Sequence, residues 1–167
     1  MRSVSRKSSK TLKLSYDCIY LEPIKVNYCI LVVCIGNICR SPLGEYAFKE
    51  KFKSQEFSIK SAGLGALVGY PADPLAIEVG LKNGLDLSQH EAQMLNQKLV
   101  NESDLILVMS ARQKQTLIEK FSTARGKVFL LSETQAIADP FQKGIEHFEE
   151  AWQLIELGVE SWVKKLA

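Results

Sequence analysis

One short segment of the chain carries residues that could do covalent chemistry on a phosphate ester. It reads Cys34-Ile35-Gly36-Asn37-Ile38-Cys39-Arg40-Ser41, a C-x5-R-S pattern between an apolar run and the start of a predicted helix. A tight loop that enters a helix offers inward-pointing backbone N–H groups and the positive end of the helix dipole, and both bind phosphate. Gly36 is expected to permit the close turn. The segment therefore predicts a phosphate-binding loop.

Cys34 is the predicted nucleophile of this loop. The donors that would hold phosphate also stabilise negative charge on sulfur, which favours the thiolate that attacks phosphorus. Arg40 is placed to hold two phosphoryl oxygens with its planar guanidinium, which Lys would not reproduce. The Ser41 hydroxyl has two competing predicted roles, donation to the Cys34 sulfur and capping of the next helix, with Pro42 at the first helical position.

A C-x5-R match by itself is a weak signal, because each of its residue types is common. The alternative is a buried cysteine beside an arginine in the first turn of a helix. The preceding strand, the glycine in the loop, and the Ser-Pro helix start all agree with the chemical interpretation. This context favours a working anion site.

Asp139 is the candidate for the acid that such chemistry requires. A cysteine nucleophile needs a carboxyl group that protonates the leaving oxygen and later deprotonates the attacking water. Asp139 lies in Ala138-Asp139-Pro140-Phe141, after a predicted strand, so it is expected at the same sheet edge as Cys34. Pro140 stiffens this segment. The alternative is that Asp139 only caps the final helix, as Asp73 is predicted to cap an earlier one.

Strands and helices alternate along the chain that must position these residues. Buried strands are predicted at residues 28–33, 104–109 and 128–131, and an alternating strand at 57–60 leads into a glycine-rich loop through Gly69 that borders the site. Helices are predicted from Pro42 to about Lys53, from Asp73-Pro74 to Asn83-Gly84, and from Ser110 to about Phe121. The strand at 28–33 is expected to be central.

The last element has the clearest periodicity in the chain. Its apolar residues step by three and four and form one helical face: Ile145, Phe148, Trp152, Ile155, Val159, Trp162 and Leu166. A helix that covers the core is favoured over a coiled coil. The alternating elements predict an α/β single domain, with a four-stranded parallel sheet, helices on both faces and the phosphate-binding loop after the first strand.

Composition and charge narrow the class of protein. The 167 residues are 46% hydrophobic and 24% charged, values typical of one globular domain. The net charge is +2, and because basic residues crowd the first 13 positions, the remainder is slightly acidic. This pattern argues against a nucleic-acid partner. Residues 1–27 are expected to form a flexible basic extension, or to precede the natural start, and residues 28–167 the domain.

The cysteines and apolar runs bear on cofactors and compartment. Four cysteines all fall in the first quarter, at Cys18, Cys29, Cys34 and Cys39, and no secretory signal precedes them. A reducing cytoplasm is therefore expected. Their spacing fits no zinc pattern, so no metal and no other cofactor are predicted. The longest apolar run, residues 28–35, is too short for the roughly 20 residues of a membrane span.

Several motifs together resemble the low-molecular-weight protein tyrosine phosphatases, over about residues 28–166. They are CIGNICRSP at 34–42, SAGLGALVGYPADP at 61–74, DLILVM at 104–109 and DPF at 139–141. The SAGLGALVG stretch looks especially like the bacterial branch that acts beside tyrosine autokinases in capsule and exopolysaccharide export. The resemblance therefore implies a phosphotyrosine protein, in particular such an autokinase, as the partner of a chain expected to be monomeric.

The resemblance also implies roles for individual residues. Cys34 would be the nucleophile, Arg40 the phosphate ligand, and Asp139 the acid and base, while Asn37 and Ser61 would brace the loop. Substrate would be bound by Ile35, Gly36, Asn37, Ile38, Cys39, Ser41, Leu64 and Phe141, with Ile38 and Leu64 as walls of the slot. Phe141 stands where the family usually has tyrosine. Cys39 could trap Cys34 in a reversible disulfide, and the alternative is that Cys39 is only a small buried residue in the first helical turn.

Three other functions compete with phosphotyrosine hydrolysis, and the sequence gives a reason against each of them. An arsenate reductase of this fold needs further cysteines downstream, and none follows Cys39. A protein arginine phosphatase tends to carry threonine at the position of Ile38, so tyrosine is favoured. A non-catalytic phosphotyrosine-binding module would typically lose its nucleophile or acid. His90, His147, Gln93 and Gln142 are not expected to take part in the chemistry.

Overall fold

The sheet has four strands, all parallel, in the order β2-β1-β3-β4. The computed structural model describes residues 27–53 and 56–167, so almost all of the predicted N-terminal extension lies outside the described residues. The strands are β1 Tyr28–Cys34, β2 Phe57–Gly63, β3 Leu105–Val108 and β4 Val128–Leu130. The predicted parallel α/β sheet is confirmed, and β1 is central as expected.

Helices cover both faces of this sheet. They are α1 Arg40–Lys51, α2 Pro74–Lys82, α3 Gln97–Glu102, α4 Ala111–Lys120 and α5 Ile145–Leu166. Successive residues of β1 point to opposite faces: Ile30 and Val32 enter the core beneath α1, α2 and α5, and Leu31 and Val33 enter the core beneath α3 and α4. Because both faces are covered, β1 is apolar at every position after its first, which is how the sequence marks a central parallel strand.

Two of the predicted helix starts are confirmed by side-chain caps. Asp73 accepts a hydrogen bond from the backbone N–H of Leu75 at 2.9 Å, and Ser110 accepts one from Gln113 at 3.3 Å. Gly84 follows α2 with a positive φ of 77°. These helices begin where a short polar side chain satisfies free N–H groups.

The predicted start of α1 is wrong by two residues. The helix begins at Arg40, its N-cap is Cys39, and no side chain caps it. Ser41 is therefore already inside the helix, and its hydroxyl is free for another partner. Helix α3 was not predicted, although Asn96 caps it by accepting from the N–H of Leu99 at 3.0 Å.

Helix α5 packs against α1 and α2 over one face of the sheet. The side chains of Phe148, Trp152, Ile155 and Val159 are buried in this core. The apolar face is thus buried within the chain. The prediction of a helix that covers the core is confirmed, and the alternative of a coiled coil is wrong. Among the described residues, no helix combines the length and the apolar character needed to cross a membrane.

Candidate active site

The cradle, residues 34–41, turns directly from the end of β1 into the first turn of α1. Its one left-handed residue is Asn37, with φ of 56°. Gly36 has no positive φ, and a Cβ there would meet Ile38 only at an ordinary 3.5 Å. The sequence-based assignment of the tight turn to Gly36 is therefore wrong. Asn tolerates the left-handed region better than most residues, and here its side chain is also bonded.

The loop after β2 supports the cradle from one side through backbone hydrogen bonds. The N–H groups of Leu64, Gly65 and Leu67 donate to the carbonyls of cradle residues 34, 35 and 36 at 2.9, 3.0 and 3.1 Å. A Cβ on Gly63 would lie 2.4 Å from the Ile35 carbonyl oxygen, so only glycine allows this close approach. The predicted contact between the glycine-rich loop and the site is confirmed.

The side chain of Asn37 sets the direction of a buried hydrogen-bond chain. Its Oδ1 must accept, because the group facing it at 2.8 Å is the backbone N–H of Gln93. Its Nδ2 therefore donates to the hydroxyls of Ser41 at 2.8 Å and Ser61 at 2.9 Å. Since the Ser41 oxygen already accepts from Asn37, its proton is free for the Cys34 sulfur, 2.9 Å away.

The Cys34 sulfur thus has two hydrogen-bond partners. The Ser41 hydroxyl lies at 2.9 Å and the backbone N–H of Asn37 at 3.3 Å. Of the two roles predicted for Ser41, the structure has the one toward the sulfur and not the helix cap. A sulfur that carries negative charge is stabilised by such donors, as a nucleophilic thiolate requires.

Beneath the cradle the chain of hydrogen bonds ends on a carboxylate. Ser61 donates to Glu45 Oε2 at 2.5 Å, which leaves the Ser61 oxygen to accept from Asn37. His90 is buried, with Nε2 2.7 Å from the Asn37 carbonyl oxygen and Nδ1 4.0 Å from Glu45. The bracing predicted for Asn37 and Ser61 fits these contacts.

Sequence reasoning missed Glu45, His90 and Gln93 as members of this support. Gln93 donates through its side chain to the Ser61 carbonyl at 2.9 Å, in addition to its backbone bond to Asn37. Neither His90 nor Gln93 hydrogen-bonds to the Cys34 sulfur, and that they take no part in the chemistry stays a prediction. The sequence carried no clear signal for Glu45, because it lies two positions from Leu43 and residues two apart on a helix do not share a face.

Arg40 is buried at the rim of the cradle and reaches toward the segment after β4. Its Nη1 donates to the Ile137 carbonyl at 2.9 Å and its Nη2 to Asp139 Oδ2 at 2.5 Å. Within the described residues, Arg40 Nε is the one buried side-chain nitrogen or oxygen without a hydrogen-bond partner. A guanidinium with an unused buried N–H is suited to an anionic ligand.

Asp139 lies on the acid loop, residues 137–142, and its side chain is about half exposed at 48%. Besides the contact with Arg40, its Oδ1 accepts from the Phe141 N–H at 3.2 Å. The N-cap of α5 is Gly144, so the alternative that Asp139 caps this helix is excluded. Asp139 and Cys34 lie at the same edge of the sheet, as expected.

The pocket at this edge has a volume of about 170 Å³. Its lining residues are Cys34, Ile35, Gly36, Ile38, Cys39, Arg40, Gly65, Leu67, Asp139 and Phe141. Leu64, predicted as a wall, is not among them: it packs toward the α3–α4 core, and Leu67 lines the pocket instead. Asn37 and Ser41, predicted to bind substrate, are fully buried behind the pocket rather than in its lining.

Cys39 is the second thiol of the cradle, and it is buried. Burial, reinforced by the negative charge of Asp73 and of the Cys34 and Asp139 groups, raises the pKa of the Cys39 thiol far above its ordinary range, against a smaller opposing effect of Arg40. Cys39 therefore stays protonated at neutral pH and is a poor nucleophile. Cys29, Cys34 and Cys39 are all free thiols.

The site contains the parts that a cysteine-dependent phosphatase requires: a thiol in an anion cradle, an arginine and a carboxyl group on one pocket. A family model described as low molecular weight phosphotyrosine protein phosphatase matches residues 29–167. The probable low molecular weight protein-tyrosine-phosphatase EpsP of Ralstonia nicotianae is 48% identical over 139 residues, 82% of this chain and 94% of that protein.

Solved structures agree with this assignment. Vibrio vulnificus Wzb in complex with benzylphosphonate superposes with a TM-score of 0.79 at 39% identity, covering 83% of this chain and 98% of that one. The YwlE arginine phosphatase from Geobacillus stearothermophilus also has a TM-score of 0.79, but at 30% identity over 83% of this chain and 92% of that one. The chain belongs to the low molecular weight phosphotyrosine protein phosphatase family.

Proposed function

We propose that this phosphatase hydrolyses phosphotyrosine in proteins through a cysteinyl-phosphate intermediate on Cys34. The observation that carries the proposal is the position of the Cys34 sulfur. It lies between the Ser41 hydroxyl and the Asn37 N–H, in a pocket that Arg40 and Asp139 also line. A nucleophile, an anion clamp and a proton donor therefore face the same small volume.

In the first step the Cys34 thiolate attacks phosphorus and the bond to the tyrosine oxygen breaks. Arg40 would hold two phosphoryl oxygens, using the Nε that has no protein partner together with Nη2. Because Nη2 is bonded to Asp139, substrate must redirect the guanidinium toward phosphate. With the guanidinium turned to the phosphate, the Asp139 carboxylate is free to take up a proton, from the substrate monoanion or from solvent, and to give it to the departing phenolic oxygen.

In the second step a water molecule attacks the phosphorus of the cysteinyl phosphate. Asp139, now ionised, takes the proton of that water, and phosphate leaves as the sulfur–phosphorus bond breaks. The departing thiolate is stabilised by the proton that Ser41 can donate across 2.9 Å. The direction of the buried hydrogen-bond chain supports this role, since the Ser41 oxygen accepts from Asn37.

The walls of the pocket favour an aromatic phosphate ester. Ile35, Ile38, Leu67 and Phe141 surround the opening with apolar side chains, and Phe141 is 42% exposed and free to stack on a ring. Benzylphosphonate, the ligand of Vibrio vulnificus Wzb, also joins an aromatic ring to a phosphorus group. A phosphotyrosine side chain has the same two parts.

Two other functions compete with this proposal. An arginine phosphatase of the same fold is opposed by Ile38, which lines the pocket as an apolar residue and offers no hydroxyl to a phosphoguanidine. A non-catalytic phosphotyrosine-binding module is opposed by the joint presence of Cys34, Arg40 and Asp139.

The partner and the compartment are part of the proposal. The similarity to EpsP and Wzb, together with the SAGLGALVG stretch, supports a bacterial tyrosine autokinase of capsule or exopolysaccharide production as the phosphotyrosine substrate. The free thiols of the described cysteines support a cytoplasmic location, where a thiolate nucleophile stays reduced. We expect the chain to act as a monomer without a cofactor.

The test is phosphate release by wild type and Cys34→Ser from peptides that carry phosphotyrosine, phosphoserine or phosphoarginine. We expect turnover on phosphotyrosine, and a loss on the order of 10⁴-fold or more in Cys34→Ser, because a serine hydroxyl is a far weaker nucleophile than a thiolate. Cys29→Ser is the matched control, since Cys29 lies at the other end of β1.

Rapid acid quenching followed by mass spectrometry should detect phosphate on the peptide that contains Cys34. Stoichiometric binding of phosphotyrosine without release would support the binding module instead. Faster release from phosphoarginine than from phosphotyrosine would support the arginine phosphatase.

A further inference from the structure

A second depression opens beside the phosphate pocket and shares part of its rim. Its volume is about 430 Å³, and Ile35, Arg40 and Asp139 line both cavities. Beyond this shared rim it extends over the β3–α4 junction, where Leu64, Arg112, Gln113 and Thr116 line it. We call it the side groove. A peptide whose phosphotyrosine fills the pocket would have neighbouring residues within reach of the side groove.

The charge of the side groove is set by Arg112. The other charged residues in its lining, Arg40 and Asp139, are paired with each other at 2.5 Å. Arg112 is exposed, and across residues 27–53 and 56–167 no carboxylate lies within 4.0 Å of its guanidinium. The groove therefore offers one uncompensated positive charge.

Arg112 has no evident role in stabilising the fold. It is the second residue of α4, where the helix dipole disfavours a positive charge. Among the described residues it also lacks the ion pair that many surface lysines make. Gln113 beside it is different: its Oε1 accepts from the Met109 N–H at 3.0 Å and holds the junction together. A cation at an unfavourable position of the helix, facing a groove, fits a role in binding.

We infer that the side groove binds an acidic side chain next to the phosphotyrosine of the protein substrate, and that Arg112 is the residue that selects it. This inference rests on the proposed phosphotyrosine hydrolysis. The ligand is a carboxylate of Glu or Asp on the substrate chain. It forms an exposed ion pair with Arg112, while polar groups of Gln113 and Thr116 lie alongside.

The test compares phosphotyrosine peptides that differ only in the residues on either side of the phosphotyrosine, with Glu in one set and Gln in the other. For each enzyme, kcat/KM is normalised to the value on p-nitrophenyl phosphate, which has no flanking residue. The variants are Arg112→Gln, Arg112→Glu and the control Arg125→Gln. Arg125 is an exposed arginine at the opposite edge of the sheet before β4, and it too has no ion pair within the part of the chain that the structure describes.

Wild type and Arg125→Gln should prefer the Glu peptides by about two- to fivefold, the range of an exposed ion pair. Arg112→Gln should remove the preference, and Arg112→Glu should reverse it. The wild-type preference should also shrink as salt is raised from low to high concentration. The Glu-to-Gln ratio of kcat/KM is compared between wild type and the Arg112 variant. This double comparison isolates the interaction between the Arg112 charge and the carboxylate of the peptide.

Two results would overturn the inference in distinguishable ways. If wild type turns over both peptides but Arg112→Gln keeps the same Glu-to-Gln ratio, the side groove does not select an acidic residue, and the proposed phosphatase function still stands. If wild type releases no phosphate from any phosphotyrosine peptide, the proposed function fails and the inference fails with it.

Discussion

The cradle and the acid loop face the same pocket but are built in opposite ways. Cradle residues Asn37 and Ser41 are fully buried, and the cradle is tied to β2 and its loop by side-chain and backbone hydrogen bonds. Asp139 on the acid loop is half exposed and is held by one side chain, Arg40, and one neighbouring N–H. This difference fits the tasks proposed for the two regions, which are anion binding for the cradle and proton transfer for the acid loop.

An anion site gains most from donors that are already in place, because charge that develops in the transition state is then stabilised without reorganisation. A carboxyl group that acts first as acid and then as base must instead serve two oxygens in turn. We therefore expect changes in the cradle to alter both activity and stability, and changes in the acid loop to alter activity alone. Substitutions at four positions test this, from the largest expected effect to the smallest.

Arg40→Lys should lower kcat/KM on phosphotyrosine by on the order of 10³-fold, since an ammonium group cannot replace two parallel N–H donors aimed at phosphate. It also loses the bond to the Ile137 carbonyl, so the melting temperature should fall as well. Steady-state kinetics and thermal unfolding measure the two effects, with Arg125→Lys as control. An unchanged kcat/KM would remove Arg40 from the clamp.

Asp139→Asn should lower kcat on phosphotyrosine by about 10²-fold, because the amide can neither give nor take the proton. The loss should be smaller on p-nitrophenyl phosphate, whose leaving group needs less protonation. Stability should change little, since the side chain is half exposed. Asp73→Asn is the matched control: it also precedes a proline, and Asn caps α2 as well as Asp does. Equal losses on both substrates would argue against a general acid.

Asn37→Ala should lower kcat by about tenfold and the free energy of unfolding by about 2–4 kcal/mol, because buried polar groups lose their partners. Asn37→Gly removes the same side-chain bonds but tolerates the left-handed backbone, so it should be about 1 kcal/mol more stable than Asn37→Ala. Urea unfolding measures both. If the two variants are equally stable, the backbone conformation contributes nothing.

Phe141→Ala should raise KM for phosphotyrosine peptides by about two- to tenfold, the range expected for loss of one aromatic pair. Phe141→Tyr keeps the ring and adds a hydroxyl, and it should stay within about twofold of wild type, because the ring stacks in either case. Neither change should move the melting temperature, since Phe141 is 42% exposed. A large fall in stability in Phe141→Ala would break the contrast between the two regions.

Most of the fold was predictable because its signals are local. Continuous apolar runs such as residues 28–33 mark strands that are covered on both faces, and Asp73 and Ser110 mark helix starts with their own side chains. The six-residue helix α3 was missed because it is too short to show a period, although Asn96 provides a cap. For α1, a serine followed by a proline indicated a helix start, but the helix begins two residues before the predicted position.

The residues proposed to react were also identified from the sequence. The spacing of Cys34 and Arg40 across one loop, and the position of Asp139 after a strand, follow from the rule that parallel strands end at one edge. The sequence alone therefore determined the sheet, the loop and the class of chemistry.

Only the tertiary structure decided how these groups are held, because their partners are distant in the chain. The Gln93 N–H orients the Asn37 amide, and that orientation leaves the Ser41 proton free for the Cys34 sulfur. Likewise, Leu67 lines the pocket where Leu64 was predicted. Strand β2 continues to Gly63, and the side chain of Leu64 then packs against the core beneath α3 and α4. The direction of a hydrogen bond, and the core or pocket into which a side chain points, depend on contacts between separate elements. No local sequence pattern encodes these contacts.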